Sequence, residues 1–184
     1  MKIMKHLLAV ILITFSLFAP SITLAKPYYG ANFSLTLIAK EPPALHGYQF
    51  MFNYDPQRFQ WRQFNIYFDG GFSHFWITNT PYHTAINIYS LAPVIRYTFK
   101  KRGPFSPYLE FSFGIAYLNH TYLDSRNLGI HFAFQDRAGI GILLGTAEQF
   151  SIGLQAVHYS NAHLSSHNSG ISIPVLLEIG YRFS

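Results

Sequence analysis

His158 and Ser160, near the C-terminal end of the chain, have the residue types and the spacing needed for nucleophilic acyl transfer. An imidazole that takes the proton of a neighbouring hydroxyl leaves an alkoxide, which attacks an ester carbonyl. Residues two apart on a β-strand share a face and lie about 6–7 Å apart at the backbone, within reach of an imidazole. The pair alone does not specify catalysis, because ordinary polarity near a strand end gives the same pattern.

The segment that carries this pair alternates with a period of two, which is typical of a β-strand. Ile152, Leu154 and Ala156 occupy even positions, whereas the odd positions from 151 to 155 are polar or glycine. Continuing the alternation places His158 and Ser160 on the same face as these apolar residues. A polar group on an apolar face is costly if that face meets lipid, so it calls for a functional reason.

The composition favours a strand-built wall that faces lipid. Charged residues make up 11% of the chain and aromatic residues 18%, whereas globular domains have about 25% charged residues. After Ala25 no apolar run reaches the roughly 18 residues of a membrane helix. Large apolar residues instead alternate with small or polar ones, as in the segment from Tyr108 to Tyr117. This pattern predicts an all-β, eight-stranded antiparallel transmembrane β-barrel of the outer-membrane type.

Eight strands can be placed along the chain, at about 28–39, 46–54, 59–71, 85–99, 106–118, 130–144, 150–161 and 172–183. Connections after strands 2, 4 and 6 are predicted to be short, and those after strands 3, 5 and 7 long, beginning with a loop over 71–84. Short turns belong in the periplasm and long loops outside. Pro93 and Pro174 predict bulges or strand ends. The alternative fold is a soluble lipocalin-like barrel with apolar side chains turned inward around a ligand.

The N-terminal residues predict export. Lys2 and Lys5 precede a short apolar run, and Thr23-Leu24-Ala25 is a small-residue cleavage site, so residues 1–25 are predicted to be a cleaved signal peptide and 26–184 the barrel. The formal charge of +5 then falls to a modest positive value without a basic cluster that would indicate nucleic-acid binding. We expect a protein of the bacterial outer membrane. Cysteine is absent, which excludes thiol catalysis.

The longer string around the pair carries a family resemblance. Ala156-Val-His-Tyr-Ser-Asn-Ala162, followed by Asn168-Ser-Gly-Ile171 and a last strand ending Gly180-Tyr-Arg-Phe183, resembles the lipid A 3-O-deacylase (PagL) family. The resemblance implies that His158 is the base and Ser160 the nucleophile, on the outside of the barrel, with Asn161 helping to hold the oxyanion. It also implies hydrolysis of the ester-linked 3-hydroxyacyl chain at position 3 of lipid A, in the lipopolysaccharide of the outer leaflet, without a metal or other cofactor.

Two positions depart from the family pattern. Ser172 stands where family members have a glutamate, and His163, which we include in the oxyanion and substrate region, stands where glycine is frequent. Without a third group, the imidazole loses the partner that fixes its tautomer. If the hairpin of strands 6 and 7 turns symmetrically about Ala147, Asp136 lies opposite His158, within reach of the imidazole. Asp136 is therefore a candidate acid, unless it pairs with Arg137 or turns inward after a bulge.

The other polar residues favour structural roles. Glu178 has inward parity, and we expect it to form an interior charge network with Arg96, Glu110, Arg137 and Arg182, because a lumen of eight strands is packed rather than open. The nine histidines do not form a metal-ligand motif. Two alternatives to the deacylase stay open: a non-enzymatic barrel for adhesion or membrane integrity, which Ser172 favours, and a phospholipid esterase of the same layout.

Overall fold

A computed structural model describes residues 26–78 and 83–183. The predicted signal peptide lies outside these residues. Eight long antiparallel strands build the described part: β1 (Tyr28–Ile38), β2 (Leu45–Asp55), β3 (Phe64–Ile77), β4 (Ala85–Thr98), β5 (Phe105–Leu118), β6 (Phe132–Leu144), β7 (Phe150–Ser160) and β8 (Ile171–Phe183). Short two-residue strands lie at Gln60–Trp61, Tyr122–Leu123 and Arg126–Asn127. In the two described ranges, no helix has the length and hydrophobicity to cross a membrane.

The eight strands form a closed barrel in which each strand pairs with its neighbours along the chain. The last strand closes the ring by pairing with the first, with Leu35 opposite Leu177, and β2 pairs with β3, with Phe50 opposite Phe72. Closure leaves no long strand with an unpaired edge, which is how a sheet satisfies its backbone in lipid. The predicted eight-stranded antiparallel barrel is confirmed.

The alternation of β5 shows which way the wall faces. Leu109, Phe111, Phe113, Ile115 and Tyr117 are all about half exposed, whereas the residues between them are buried. Large apolar side chains therefore point away from the lumen, and small or polar ones fill it. The lipocalin-like alternative requires the opposite orientation, so it is wrong.

Charged and amide side chains bond one another inside the lumen. Arg96 donates to Glu110 at 2.8 Å, and Gln155 donates to Glu110 at 2.9 Å and to Glu178 at 2.7 Å. The predicted interior network is present, and it also includes an ion pair between Arg137 and Asp69. Arg182 instead lies over the ring of Tyr28.

Apolar side chains fill the lumen at the end where the chain makes its two longest described connections, 119–131 and 161–170. We call this the loop end, and by the rule for bacterial barrels it faces outside. The packed cluster there includes Phe75, Ile88, Leu118, Tyr159, Ile171 and Ile173. The hydroxyl of Tyr159 accepts a hydrogen bond from Gln49 at 2.9 Å. This cluster braces the inner side of β7 and β8 at the point where His158 lies on the outer side.

The bounds of β3 and the register next to Pro93 differ from the prediction, whereas the register next to Pro174 agrees with it. The third strand is longer and later than predicted, since it continues through Gly71 to Ile77. Gly71 lies within this strand, and the position needs glycine because a Cβ there would collide with the backbone of Phe50 and Met51 on β2. Pro93 was expected to make a bulge or a strand end, but β4 keeps one register on both sides of it. Next to Pro174, the pairing of β7 and β8 does shift register.

Candidate active site

The alternation of β7 sets the direction of the two candidate residues. Val157 and Tyr159 are buried in the lumen, whereas Ile152 and Leu154 are about 40% exposed on the outer face. His158 and Ser160 have the outward parity and are half-buried. Both therefore project from the outer wall at the loop end of the barrel.

The pairing of β6 and β7 has the register expected of a symmetric hairpin. Asp136 lies opposite His158, and Phe134 lies opposite Ser160. The short turn at 145–149 fixes this register, because a one-residue slip would turn every side chain to the wrong face. Asp136 is half-buried and outward, whereas Arg137 is buried in the lumen. The register prediction is confirmed.

The hydrogen bond of the imidazole goes to the other neighbour. His158 Nδ1 lies 2.8 Å from the Oγ of Ser172, its partner on β8. In the described part of the chain, no hydrogen bond joins His158 and Asp136. Asp136 is therefore opposite the imidazole without a hydrogen bond to it, and its role as the acid stays a prediction. The register shift between Gln155 and Val157 aligns Ser172 directly with His158.

A glycine lets the chain pass close to the imidazole. Gly170 has a φ of 63°, a left-handed conformation that favours glycine. A Cβ at this position would lie 3.3 Å from His158 Cε1 and 3.1 Å from the carbonyl oxygen of Tyr159. Ser160 and His158 share the outer face but make no hydrogen bond among the described side chains. Such bonds are often long without substrate and shorten when it binds.

The amide of Asn161 is used to hold the loop. Asn161 is buried, and its Nδ2 donates to the carbonyls of Leu128 at 2.9 Å and His167 at 2.7 Å. Both amide hydrogens are therefore occupied in this structure, and the expected contact of this side chain with an oxyanion stays a prediction.

Two peptide N–H groups lie next to Ser160 and Asn161 in the chain. Ala162 and His163 are exposed and have φ values of 50° and 63°. Glycine adopts this conformation without strain, which explains why it suits position 163. Within residues 26–78 and 83–183, the N–H groups of Ala162 and His163 have no hydrogen-bond partner. They are the free donors closest in sequence to the candidate nucleophile.

An apolar groove of about 280 Å³ runs along the outer wall beside the imidazole. Small side chains create it, because Ala138 on β6 lies directly opposite Ala156 on β7. Its apolar lining includes Phe111, Ala138, Ala156, Ile173 and Pro174, and its polar lining includes Lys40, Asp136, His158 and Ser172. The groove can hold a hydrocarbon chain beside the imidazole of His158.

Comparison with known proteins gives the family. The family model described as lipid A 3-O-deacylase (PagL) matches residues 46–182, most of the chain. The chain belongs to the PagL family. The lipid A deacylase PagL of Pseudomonas aeruginosa is 38% identical over 82 residues, covering 45% of this chain and 46% of that protein. The PagL of Bordetella bronchiseptica is 27% identical over 154 residues, covering 84% of this chain and 79% of that protein.

Two solved structures are similar to this chain in fold. The crystal structure of the outer-membrane enzyme PagL matches with a TM-score of 0.68 and 25% identity, covering 83% of this chain and 98% of that one. Neisserial surface protein A matches with a TM-score of 0.55 at 13% identity, covering 85% of this chain and 97% of that one, so it shares the fold alone. As a PagL-family barrel, the protein belongs in the bacterial outer membrane.

Proposed function

We propose that the protein is a lipid A 3-O-deacylase, which hydrolyses the ester-linked 3-hydroxyacyl chain at position 3 of lipid A. The observation that carries the proposal is the placement of His158 and Ser160 together on the outer wall, at the loop end and beside an apolar groove. A soluble substrate would gain nothing from reactive groups that face the bilayer. Membership of the PagL family supports the same substrate.

The proposed reaction passes through an acyl-enzyme. His158 Nε2 takes the proton of Ser160 Oγ, and Oγ forms a bond with the ester carbonyl carbon. The tetrahedral intermediate collapses by breaking the bond to the sugar oxygen, which takes the proton from Nε2. Water, activated by the same imidazole, then attacks the acyl carbon and releases the 3-hydroxy fatty acid.

The peptide N–H groups of Ala162 and His163 are proposed to stabilise the developing oxyanion. Preorganised donors aimed at such a charge contribute on the order of 3–4 kcal/mol each in well-studied hydrolases. The Asn161 side chain contributes indirectly, because its bonds to Leu128 and His167 hold the loop on which these N–H groups lie.

The groove is proposed to bind the acyl chain that leaves. Its apolar lining between Ala138 and Ala156 suits a hydrocarbon chain, and Lys40 lies at its polar side. A lysine ammonium attracts phosphate, and lipid A carries phosphate groups. Lys40 therefore supplies a contact that an uncharged lipid would not use.

Mass spectrometry of lipid A from cells that express the protein tests the proposal. The parent protein should remove one 3-hydroxyacyl group, and Ser160→Ala should leave lipid A intact. Both proteins must be shown to be folded in the outer membrane, for example by their shift on gels before and after boiling. Unchanged lipid A in cells with the folded parent protein would contradict the proposal.

The same experiment distinguishes the two alternatives. Ser172 at the glutamate position is the observation that favours a non-enzymatic barrel, which would change no lipid. A phospholipid esterase would leave lipid A unchanged and release fatty acid from phospholipid. Analysing phospholipids from the same cells separates these two outcomes.

A further inference from the structure

The imidazole of His158 is bonded on one side to a neutral group. Its Nδ1 lies 2.8 Å from Ser172 Oγ, so a hydroxyl occupies the place where a carboxylate is needed. A hydroxyl can fix the tautomer by accepting the Nδ1 hydrogen. Alone, it cannot supply the negative charge that stabilises an imidazolium.

A carboxylate lies on the far side of that hydroxyl. Ser172 Oγ donates to Glu41 Oε2 at 3.4 Å, so Ser172 lies between the carboxylate and the imidazole. Glu41 is in the connection between β1 and β2, at the loop end, and it is 131 residues from Ser172 in sequence. Barrel closure brings the two together, because β8 pairs with β1.

The backbone locks Glu41 against Ser172. The N–H of Glu41 donates to the carbonyl of Ser172 at 3.1 Å, and the N–H of Ser172 donates to the carbonyl of Glu41 at 2.8 Å. The N–H of Lys40 also donates to the Ser172 carbonyl, at 3.1 Å. The main chain of Glu41 is therefore held next to Ser172 by a reciprocal pair of bonds, and this places the carboxylate within 3.4 Å of Ser172 Oγ.

Arg126 connects Glu41 to the glycine that lies against the imidazole. Its Nη2 is 3.7 Å from Glu41 Oε2, and its Nε donates to the carbonyl of Gly170 at 3.2 Å. A second guanidinium bond goes to the carbonyl of Ser169. One arginine thus steadies both the carboxylate and the segment that packs on the ring of His158.

We propose that Glu41, acting through the hydroxyl of Ser172, is the acidic positioning residue of the His158–Ser160 pair. This inference rests on the proposed function, since it explains how the pair works without the family's glutamate. The Nδ1 hydrogen of His158 bonds to Ser172 Oγ, and the Ser172 hydroxyl hydrogen bonds to Glu41. Nε2 is then free to accept the proton of Ser160, and the carboxylate stabilises the imidazolium that results.

Labelling of Ser160 by a fluorophosphonate tests the inference in detergent, because it measures activation of the nucleophile without lipid A. Glu41→Gln should slow labelling by about tenfold to a hundredfold, less than loss of a directly bonded acid, for which about 10⁴-fold is known. Glu148→Gln is the matched control, since this acid lies in the turn at the opposite end of the barrel, and it should label at the parent rate.

A second variant separates positioning from folding. Ser172→Glu places a carboxylate directly beside the imidazole, so adding it to Glu41→Gln should restore labelling to within about threefold of the parent. A purely structural role for Glu41 would not be rescued, because the loop contacts of Glu41 stay altered. Parent-like labelling by Glu41→Gln, a loss that Ser172→Glu fails to rescue, or a parent protein whose Ser160 does not react would each overturn the inference.

Lipid A analysis of the same proteins distinguishes this inference from the proposed function. If the parent protein labels at Ser160 but leaves lipid A intact, the substrate assignment is wrong, and the labelling series still decides the role of Glu41. If the parent protein deacylates lipid A and Glu41→Gln is equally fast, the inference is wrong and the proposed function stands.

Discussion

The lumen and the outer face of the same barrel wall carry polar side chains in different ways. Inside, Gln155 and Glu178 are buried and bond one another at 2.7 Å, and Gln155 also donates to Glu110 on β5 at 2.9 Å. Outside, His158 and Ser172 on the same two strands are half-buried and bond along the wall. The inner groups have partners from several strands, whereas the outer groups have only neighbours on the surface.

This difference separates structural from functional polarity. A polar residue in a packed lumen is stabilised by the polar partners around it and need have no further role. A polar residue on the lipid-facing wall costs free energy unless function or the head groups justify it. Substitutions in the lumen should therefore change stability, and substitutions on the outer site should change the reaction.

The largest effect is expected for His158→Gln. This change removes the base while keeping a polar side chain, so deacylation should fall on the order of 10⁴-fold. The rate of loss of the 3-hydroxyacyl group from lipid A, followed by mass spectrometry, measures it. His131→Gln, at an exposed histidine just before β6, is the control and should have the parent rate. Slow deacylation by both variants would contradict the specific role of His158.

Arg96→Met should have the largest effect on stability. It leaves Glu110 buried without its cationic partner at 2.8 Å, and breaking a buried pair in this way costs about 3–5 kcal/mol. Urea unfolding in detergent or lipid vesicles, followed by the gel shift of the folded barrel, measures the change. Labelling of Ser160 in the folded fraction should keep the parent rate. A loss of labelling with full stability would contradict a purely structural role for Arg96.

Filling the groove should slow the deacylation of lipid A moderately and leave the labelling of Ser160 unchanged. Ala156→Phe places a ring where the acyl chain is proposed to bind, so deacylation should slow about tenfold through misplacement of the ester. A small fluorophosphonate should still label Ser160 at the parent rate. Leu91→Phe, on the outer face of β4 and outside the groove, is the control. Equal loss of labelling and deacylation would mean that Ala156 disturbs the reactive pair itself.

The smallest effect is expected for Asp136→Asn. Asp136 is half-buried and lies opposite His158, but it makes no hydrogen bond to the imidazole among the described residues. A surface charge without such a bond contributes less than about 1 kcal/mol. Deacylation should stay within about fivefold of the parent. A loss of deacylation as large as that of Glu41→Gln would instead show that Asp136 acts as an acid for His158.

The sequence predicts the barrel and the outward pair because both depend on alternation and local pairing. The positions of Ile152 and Leu154 are enough to orient His158, and a short turn is enough to align Asp136 with it. The extent of β3 was missed because Gly71 resembles a loop residue until its close approach to β2 is known. Local sequence pattern therefore predicts the structure where the contacting strands are consecutive in the chain.

The role of Glu41 could not be predicted from local pattern, because it depends on closure of the barrel. Glu41 and Ser172 meet only where the first and last strands pair, and their separation of 131 residues leaves no local signal. One clue was present: in a closed barrel, the connection after β1 lies beside the start of β8. An acid in that connection therefore lies near Ser172, the residue at the position of the family's glutamate. The hydrogen bond of Asn161 to Leu128 leaves no local signal for the same reason, since Leu128 belongs to a different loop.

Mapping the site of fluorophosphonate modification by peptide mass spectrometry shows whether His158 and Ser160 form a reactive pair. We expect a single modified peptide that carries the label on Ser160, and no label in His158→Gln over the same time. Modification at another serine, or an unmodified protein that is folded and accessible to the reagent, would contradict the claim that these two side chains form a reactive pair on the outer wall.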